Sequence, residues 1–247
     1  MRATLSTSAH QALRRNLDEV RDRLAEAARV SGRSPDDVTL VVVTKAAHPA
    51  VLEALPALGC RDVGENRIAQ LRQRHAVLGS EFRWHMIGHL QRNKVGPAIE
   101  TAHLIHSVDS TRLLDALDRR AGNAGVVSEV LLEVNVSGET SKHGFSPSEA
   151  GDALRHAAAL SNVRTTGLMT MAPYTDDEGT IRSVFAGLRT LRDGLNAGGF
   201  GREPLSHLSM GMSNDYRIAV EEGATLVRVG SAILRGVETP VAGEGRR

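Results

Sequence analysis

Apolar and polar positions follow two periods along this chain. Over residues 10–30, HQALRRNLDEVRDRLAEAARV places Leu13, Leu17, Val20 and Leu24 at steps of four, three and four, which is one apolar stripe on a charged helix. The turn SGRSPDD ends it. Then VTLVVVTK runs apolar on both faces, as a central parallel strand does when helices cover both sides of its sheet. Strand-like runs recur near 38–44, 61–64, 82–87, 103–108, 129–136, 163–169, 205–209 and 226–229. Helical patterns lie between them, among them RIAQLRQRHAVL, STRLLDALDRRA, SPSEAGDALRHAAAL and NDYRIAVEEG.

Eight strand-then-helix units in one chain predict an α/β fold, a single (β/α)8 TIM-type barrel with an extra N-terminal helix, over residues 1–247 as one domain. A doubly wound open sheet would want fewer strands and a glycine-rich first turn, which is not found here. The two longest start-to-start gaps flank the sixth strand. The second carries MAPYTDDEGT and NAGGFGREP, expected as surface loops at either end of a helix, with Thr175 and Glu178 spaced as a capping box. The tail from about 238 is expected to be flexible.

Composition narrows the function classes. Thirty basic against twenty-nine acidic residues give a net charge of +1, and only seven aromatics are present, so nothing argues for nucleic acid. The first thirty residues are charged throughout, unlike a signal peptide, and no apolar run approaches ~20 residues. The single Cys60 allows no intrachain disulfide, suits a reducing compartment and reads as a small buried hydrophobe. The expectation is a soluble, cytoplasmic protein with no partner in nucleic acid or membrane.

Candidate chemistry lies at strand ends. HLSMGMS and LVRVGSA follow the seventh and eighth strands, where barrel enzymes commonly hold phosphate. Ser209, Gly211, Met212, Ser213, Gly230 and Ser231 are small or turn-forming enough for backbone N–H groups to approach an anion, and the helix N-termini that follow add a favourable dipole. Two plain helix caps are the alternative. Lys45 ends the first strand, sharing a face with Val41 and Val43 by period two. A desolvated lysine there would have a lowered pKa and a free amine able to attack a carbonyl, while a lysine snorkelling from the strand end is the bland alternative. Amine and phosphate site together suggest a phosphorylated aldehyde, of which pyridoxal 5'-phosphate (PLP) is the common one.

The stretches LVVVTKAAHP, DVGENRIAQL, WHMIGHLQRNKV, IHSVDS, LLEVNVSGETSKHGF, GLMTMAP and LSMGMSNDYRIAVEEGATLVRVGSAI resemble the pyridoxal phosphate homeostasis proteins, single-domain relatives of the alanine racemase barrel. The resemblance runs from the first strand to the eighth. It implies a fold type III PLP-binding barrel with the cofactor carried as an imine on Lys45, in proteins regarded as binding and balancing PLP. Two departures stand out: IAQL replaces a glutamate-rich end to the second motif, and Leu234-Arg235 replaces the usual aromatic after SAI. Both are expected to lie off the lysine and phosphate positions.

Other residues carry weaker readings. Asn66, in GEN, either hydrogen-bonds the cofactor or caps a helix. Arg228 is expected inside the barrel facing the pyridine nitrogen, with a phosphate contact or an ion pair to Glu221 or Glu222 as alternatives. Glu65 reads as a helix-end charge, and Asp109-Ser110 as an N-cap. Asn135 is a mouth residue, Met169 and Thr170 pack beside the ring or in the core, and Lys142 is a second amine. His85 and His89 lack the further ligands a metal needs, so no metal is expected. The reading is a non-catalytic PLP carrier and buffer that meets apo PLP-dependent enzymes transiently, as a monomer or weak dimer. An amino-acid racemase-like enzyme or a class I aldolase using Lys45 is the alternative. A racemase needs an opposing tyrosine, and Tyr174 and Tyr216 are the only tyrosines.

Overall fold

The structure, a computed structural model, describes residues 5–237, and the tail expected from 238 lies outside them. Eight parallel strands follow the chain in order: β1 (Thr39–Val43), β2 (Asp62–Glu65), β3 (Arg83–Met86), β4 (Leu104–Val108), β5 (Ser128–Glu133), β6 (Val163–Met169), β7 (His207–Ser209) and β8 (Leu226–Val229). Each pairs with the next, and β8 pairs with β1 from Thr39↔Leu226 to Val42↔Val229, closing the barrel. Between the strands run α2 (Pro49–Ala54), α3 (Ile68–Leu78), α4 (Val95–Thr101), α5 (Thr111–Ala124), α6 (Ala150–Ala159), α7 (Glu178–Ala197) and α8 (Tyr216–Glu221), with α9 (Ser231–Leu234) after β8. The barrel is the expected one.

The extra helix α1 (Thr7–Val30) starts where the Ser6 hydroxyl accepts the Ala9 N–H at 3.1 Å. Its stripe of Leu13, Leu17, Val20 and Leu24 is buried, and each such side chain contributes about 1.5–3 kcal/mol of hydrophobic burial. At α7 the N-cap is Asp177, which accepts the Gly179 N–H, while Thr175 accepts the Asp177 N–H. The capping box expected from Thr175 and Glu178 therefore gives way to a turn that begins two residues later.

Period two sorts the strands' side chains between an outer shell and an inner space. Val42, Val63, Trp84, Met86, Leu132, Leu168, Leu208, Val227 and Val229 join the helices in one apolar shell. Val41, Leu104, Leu131, Met169 and Leu226 form a separate cluster inside the barrel. Among the described residues no helix is long and apolar enough to cross a membrane.

Candidate functional site

The C-terminal ends of the strands open into a cleft of about 570 Å³. Of the nine residues expected at a site, Lys45, Asn66, Met212, Ser213, Arg228, Gly230 and Ser231 line it. Ser209 and Gly211 do not.

Strand β1 stops at Val43, and a turn closed by the Ala47 N–H on the Thr44 carbonyl (2.7 Å) lifts Lys45 to the rim. Lys45 is exposed there, which corrects the expectation of a desolvated amine. The turn is fastened from below. Arg74 donates to the Thr44 carbonyl at 2.7 Å and the Ala47 carbonyl at 2.6 Å, and Gln70 donates to the Lys45 carbonyl at 3.1 Å. Arg74 also pairs with Glu65, a fully buried carboxylate that accepts the Thr44 hydroxyl. Glu65 is thus a clamp on the lysine turn and no helix-end charge, because β2 turns it, with Val63, into the buried layer under α3. Asn66 sits half-buried on the cleft wall, and α3 begins after Arg67 without a side-chain cap.

Across the mouth, the Ser213 hydroxyl accepts the N–H groups of Gly230 (3.2 Å) and Ala232 (3.3 Å), so backbone donors converge where α9 begins. A Cβ at Gly230 would meet the Val43 Cβ and carbonyl at 3.1 Å. Gly211 serves packing: its φ is +94°, and a Cβ would lie 2.5 Å from the Ala219 Cβ, so only glycine lets α8 approach. Asp215 accepts the Met212 N–H at 2.5 Å and steadies the same turn. Ser209 is fully buried, and its hydroxyl turns into the barrel toward Arg228 (2.5 Å) and His106 (2.8 Å). It lies beneath Arg228, which covers it from the cleft.

Arg228 forms part of the cleft floor, with most of its surface buried. It donates to Ser209 and to the Thr170 carbonyl at 3.0 Å, while Glu221 and Glu222 hold Arg182. Burial brings its guanidinium down to about 10, against the charges of Asp215 and Glu133, so it stays cationic at neutral pH. Glu133, on β5, is pushed up to about 7 by burial and by the Asp109 carboxylate.

The remaining candidates fall into structural places. Met169 packs inside the barrel, and the Thr170 hydroxyl donates to the Val134 carbonyl. Asn135 organises its own loop, accepting from Ser137 and Gly138 and donating to Glu139. Lys142 is tied to Glu139 at 2.9 Å and to the Met171 carbonyl at 3.2 Å. Tyr216 is buried against Gly211, whereas Tyr174 stands 95% exposed at the cleft's edge. Leu234 and Arg235 line an adjoining cavity together with Lys45, Ser213 and Gly230. That departure therefore borders the lysine and phosphate positions, and so does IAQL, whose Gln70 donates to the Lys45 carbonyl, so neither lies off the site as expected.

Two arrangements escape a linear reading. His89, Asp109 and His143, from the loops after β3, β4 and β5, bring ligand atoms within 4.8 Å of one another. His89 Nδ1 faces Asp109 Oδ2 at 3.1 Å, and the two imidazoles stack with centroids 4.6 Å apart. Arg92, Arg112 and Lys142 line the same cavity with charges that oppose a bound cation. Ser110 does stand at the N-cap of α5, without a side-chain cap bond. The second arrangement is a string of polar side chains inside the barrel, Asp62, His85, His106 and Ser209, ending at Arg228. Period two on β2, β3, β4, β7 and β8 points all five inward, the one signal in the sequence that reveals them.

Residues 10–236 match the family model described as alanine racemase, N-terminal domain. A pyridoxal phosphate homeostasis protein of Aquifex aeolicus is 38% identical over 221 residues, covering 88% of this chain and 95% of that protein. The structure of PipY of Synechococcus elongatus with PLP bound superposes with a TM-score of 0.75 at 34% identity, covering 85% of this chain and 99% of that one. Alanine racemase of Corynebacterium glutamicum shares the fold at 15% identity, with a TM-score of 0.67 over 92% of this chain and 63% of that one.

Proposed function

Because the chain belongs to the pyridoxal phosphate homeostasis proteins, within the family of the alanine racemase N-terminal domain, we propose that it binds PLP on Lys45 and carries and buffers it without turnover. The residues present fit that group. An accessible primary amine, the hydroxyls of Ser213 and Ser231 and a buried guanidinium surround one cleft, and the Ser213 hydroxyl, accepting from Gly230 and Ala232, keeps its own hydrogen to donate. When bound, PLP supplies an aldehyde carbon open to amine attack and an anionic phosphate. Lys45 supplies the nucleophile, on a turn that Arg74, Glu65 and Gln70 keep in place. Ser213 and Ser231 would hold the phosphate through their hydroxyls and free backbone N–H groups, with Gly230 and Met212 beside them giving it room. Asn66, on the cleft wall after β2, would face the bound cofactor from that side. Arg228, donor only and not readily deprotonated, would favour an unprotonated acceptor nitrogen in a ring bound over it, which would weaken that ring as an electron sink.

The observation that carries the reading is the shared cleft of Lys45 with Ser213, Gly230 and Ser231. The carrier role is supported by Tyr216, which is buried against Gly211 and does not line the cleft, so that Tyr174, 95% exposed at the cleft's edge, is the one tyrosine lining it with Lys45. In this reading the protein works in the cytoplasm, as a monomer or weak dimer, and meets apo PLP-dependent enzymes transiently. Borohydride reduction of the PLP-loaded protein followed by peptide mass analysis is the test. A pyridoxyl group on the Lys45 peptide is expected, and label found only on other lysines defeats the assignment. Deuterium exchange at Cα of alanine, followed by NMR, separates carrier from racemase: negligible exchange is expected, and stereorandom exchange at an enzyme-like rate selects the racemase.

A further inference from the structure

Barrel interiors are usually filled by layers of branched apolar side chains, yet here a file of polar groups crosses the core. Arg83, at the start of β3, holds Asp62 with two bonds, at 2.8 and 2.5 Å. Asp62 lies 3.0 Å from His85 Nε2, His85 Nδ1 lies 2.9 Å from His106 Nε2, and His106 Nδ1 lies 2.8 Å from Ser209 Oγ. Ser209 Oγ in turn lies 2.5 Å from Arg228 Nη1. Asp62, His85, His106, Ser209 and Arg228 are all at least nine-tenths buried.

The two ends fix the direction of every bond between them. An ionised carboxylate only accepts, a guanidinium only donates, and a neutral imidazole does one of each. Asp62 therefore takes the His85 Nε2–H, which leaves His85 Nδ1 to accept the His106 Nε2–H. His106 Nδ1 then accepts the Ser209 O–H, and Ser209 Oγ accepts from Arg228. Each donor meets one acceptor only while both histidines are neutral. Burial favours that state, holding His85 below its usual range and His106 well below it.

We propose that His85, His106 and Ser209 are positioning residues: they form a one-way hydrogen-bond relay that orients Arg228 toward the cleft floor and ties its charge to Asp62 at the opposite end of the barrel. What Arg228 meets in the cleft rests on the PLP reading, but the relay does not. A proton added to His85 reverses the bonds as far as Ser209, whose own hydrogen then loses its acceptor. It also places a second positive charge near Arg228. The charged and titratable groups around the pair are Asp62, Arg83, His103 edge-on to His85, His207 and Arg228, with Glu133 and Asp215 beyond it.

Nitrogen-15 NMR of histidine-labelled protein without cofactor, at neutral pH, tests the relay directly, with His85→Gln and His106→Asn variants assigning the signals. Both rings should be neutral Nε2–H tautomers. An Nδ1–H tautomer or a doubly protonated ring at either position overturns the proposal. Absorbance titration with PLP tests the consequence: Ser209→Ala should weaken binding roughly tenfold or more, and Ser209→Thr, which keeps the hydroxyl, should recover most of it. Wild-type affinity in a folded Ser209→Ala protein also overturns the positioning role. A wild-type protein that takes up no PLP sinks the function reading instead, while the tautomers still decide the relay.

Discussion

The shell between the sheet and its helices and the space the sheet encloses are built on different principles. The shell is apolar throughout its largest members, with Trp84, Phe185, Leu13, Leu17, Leu52 and Leu114 almost wholly buried. The interior mixes five apolar side chains with the file from Asp62 to Arg228. Shell contacts are non-directional, so they add up with area and tolerate exchange of one hydrophobe for another of similar volume. Interior contacts are directional, so each group is replaceable only by one that donates and accepts in the same sense. Stability should therefore respond most to the shell, and cofactor affinity most to the interior.

The largest expected effect is in the shell. Phe185→Ala, on α7 and fully buried, should lose about 3–5 kcal/mol in urea unfolding. The visible spectrum of PLP-loaded protein that remains folded should be unchanged. A shifted cofactor band in this variant would break the separation between the two regions.

Acid should attack the interior before the shell. Although burial alone would raise it, hydrogen bonds from His85 and Arg83 take Asp62 down to about 2. Its folded value lies below its unfolded one, so its contribution is full above about pH 4 and is lost as pH falls toward 2, about 2–3 kcal/mol in all. His85 and His106 are also depressed in the folded state, so the unfolded chain takes up protons first as pH falls below ~6.5. That loss comes earlier, in the mildly acid range. Unfolding free energy measured against pH should decline in both windows, and Asp62→Asn should show a shallower lower decline, with Glu139, Glu149 and Asp177 still contributing to it. A wild-type curve flat from pH 7 to 3 contradicts the buried file.

How much of this was legible in the sequence follows from the same contrast. The shell repeats, so Leu13, Leu17, Val20 and Leu24 announce α1, and runs such as LVVV announce strands. The barrel then follows from counting units. Lys45 and the two glycine-serine turns were visible because each ends an apolar run. Ser209 and Gly211 stand off the cleft lining because Arg228 covers the first and α8 packs on the second, two tertiary contacts that the turn's own sequence does not display. Lys45 escapes desolvation because β1 ends with its apolar run at Val43, and the two further residues to Lys45 belong to a turn at the rim. Glu65 meets Arg74 only once α3 packs back on β2, and His89, Asp109 and His143 meet only when three successive strand-end loops lie side by side, so no run of adjacent residues marks either group.

Gly211 tests where shell and mouth touch. Gly211→Ala forces a left-handed backbone on alanine and drives its Cβ into Ala219, so a loss of about 1–3 kcal/mol is expected. Its effect on PLP affinity should be indirect, through displacement of α8 and the Met212–Ser213 turn. Undiminished stability would show that α8 has room to yield.

The smallest effect comes from the element that the barrel does not need for closure. Helix α1 lies outside the strand-helix units, yet its Asn16 amide donates to the carbonyls of Ile233 and Arg235, both at 2.8 Å. Those carbonyls end α9, whose other end presents Gly230 and Ser231 to the cleft. An exposed or half-buried neutral bond of this kind contributes about 1 kcal/mol, so Asn16→Ala should lose about that much stability and weaken PLP binding slightly. The sign of the amide's role is fixed by chemistry, because two carbonyls can only accept. Asn16→Asp keeps the shape but sets a carboxylate against both oxygens, and it should therefore be less stable than Asn16→Ala. An aspartate variant as stable as wild type would mean that α1 is held by its apolar stripe alone, and that shell and mouth are uncoupled at this point.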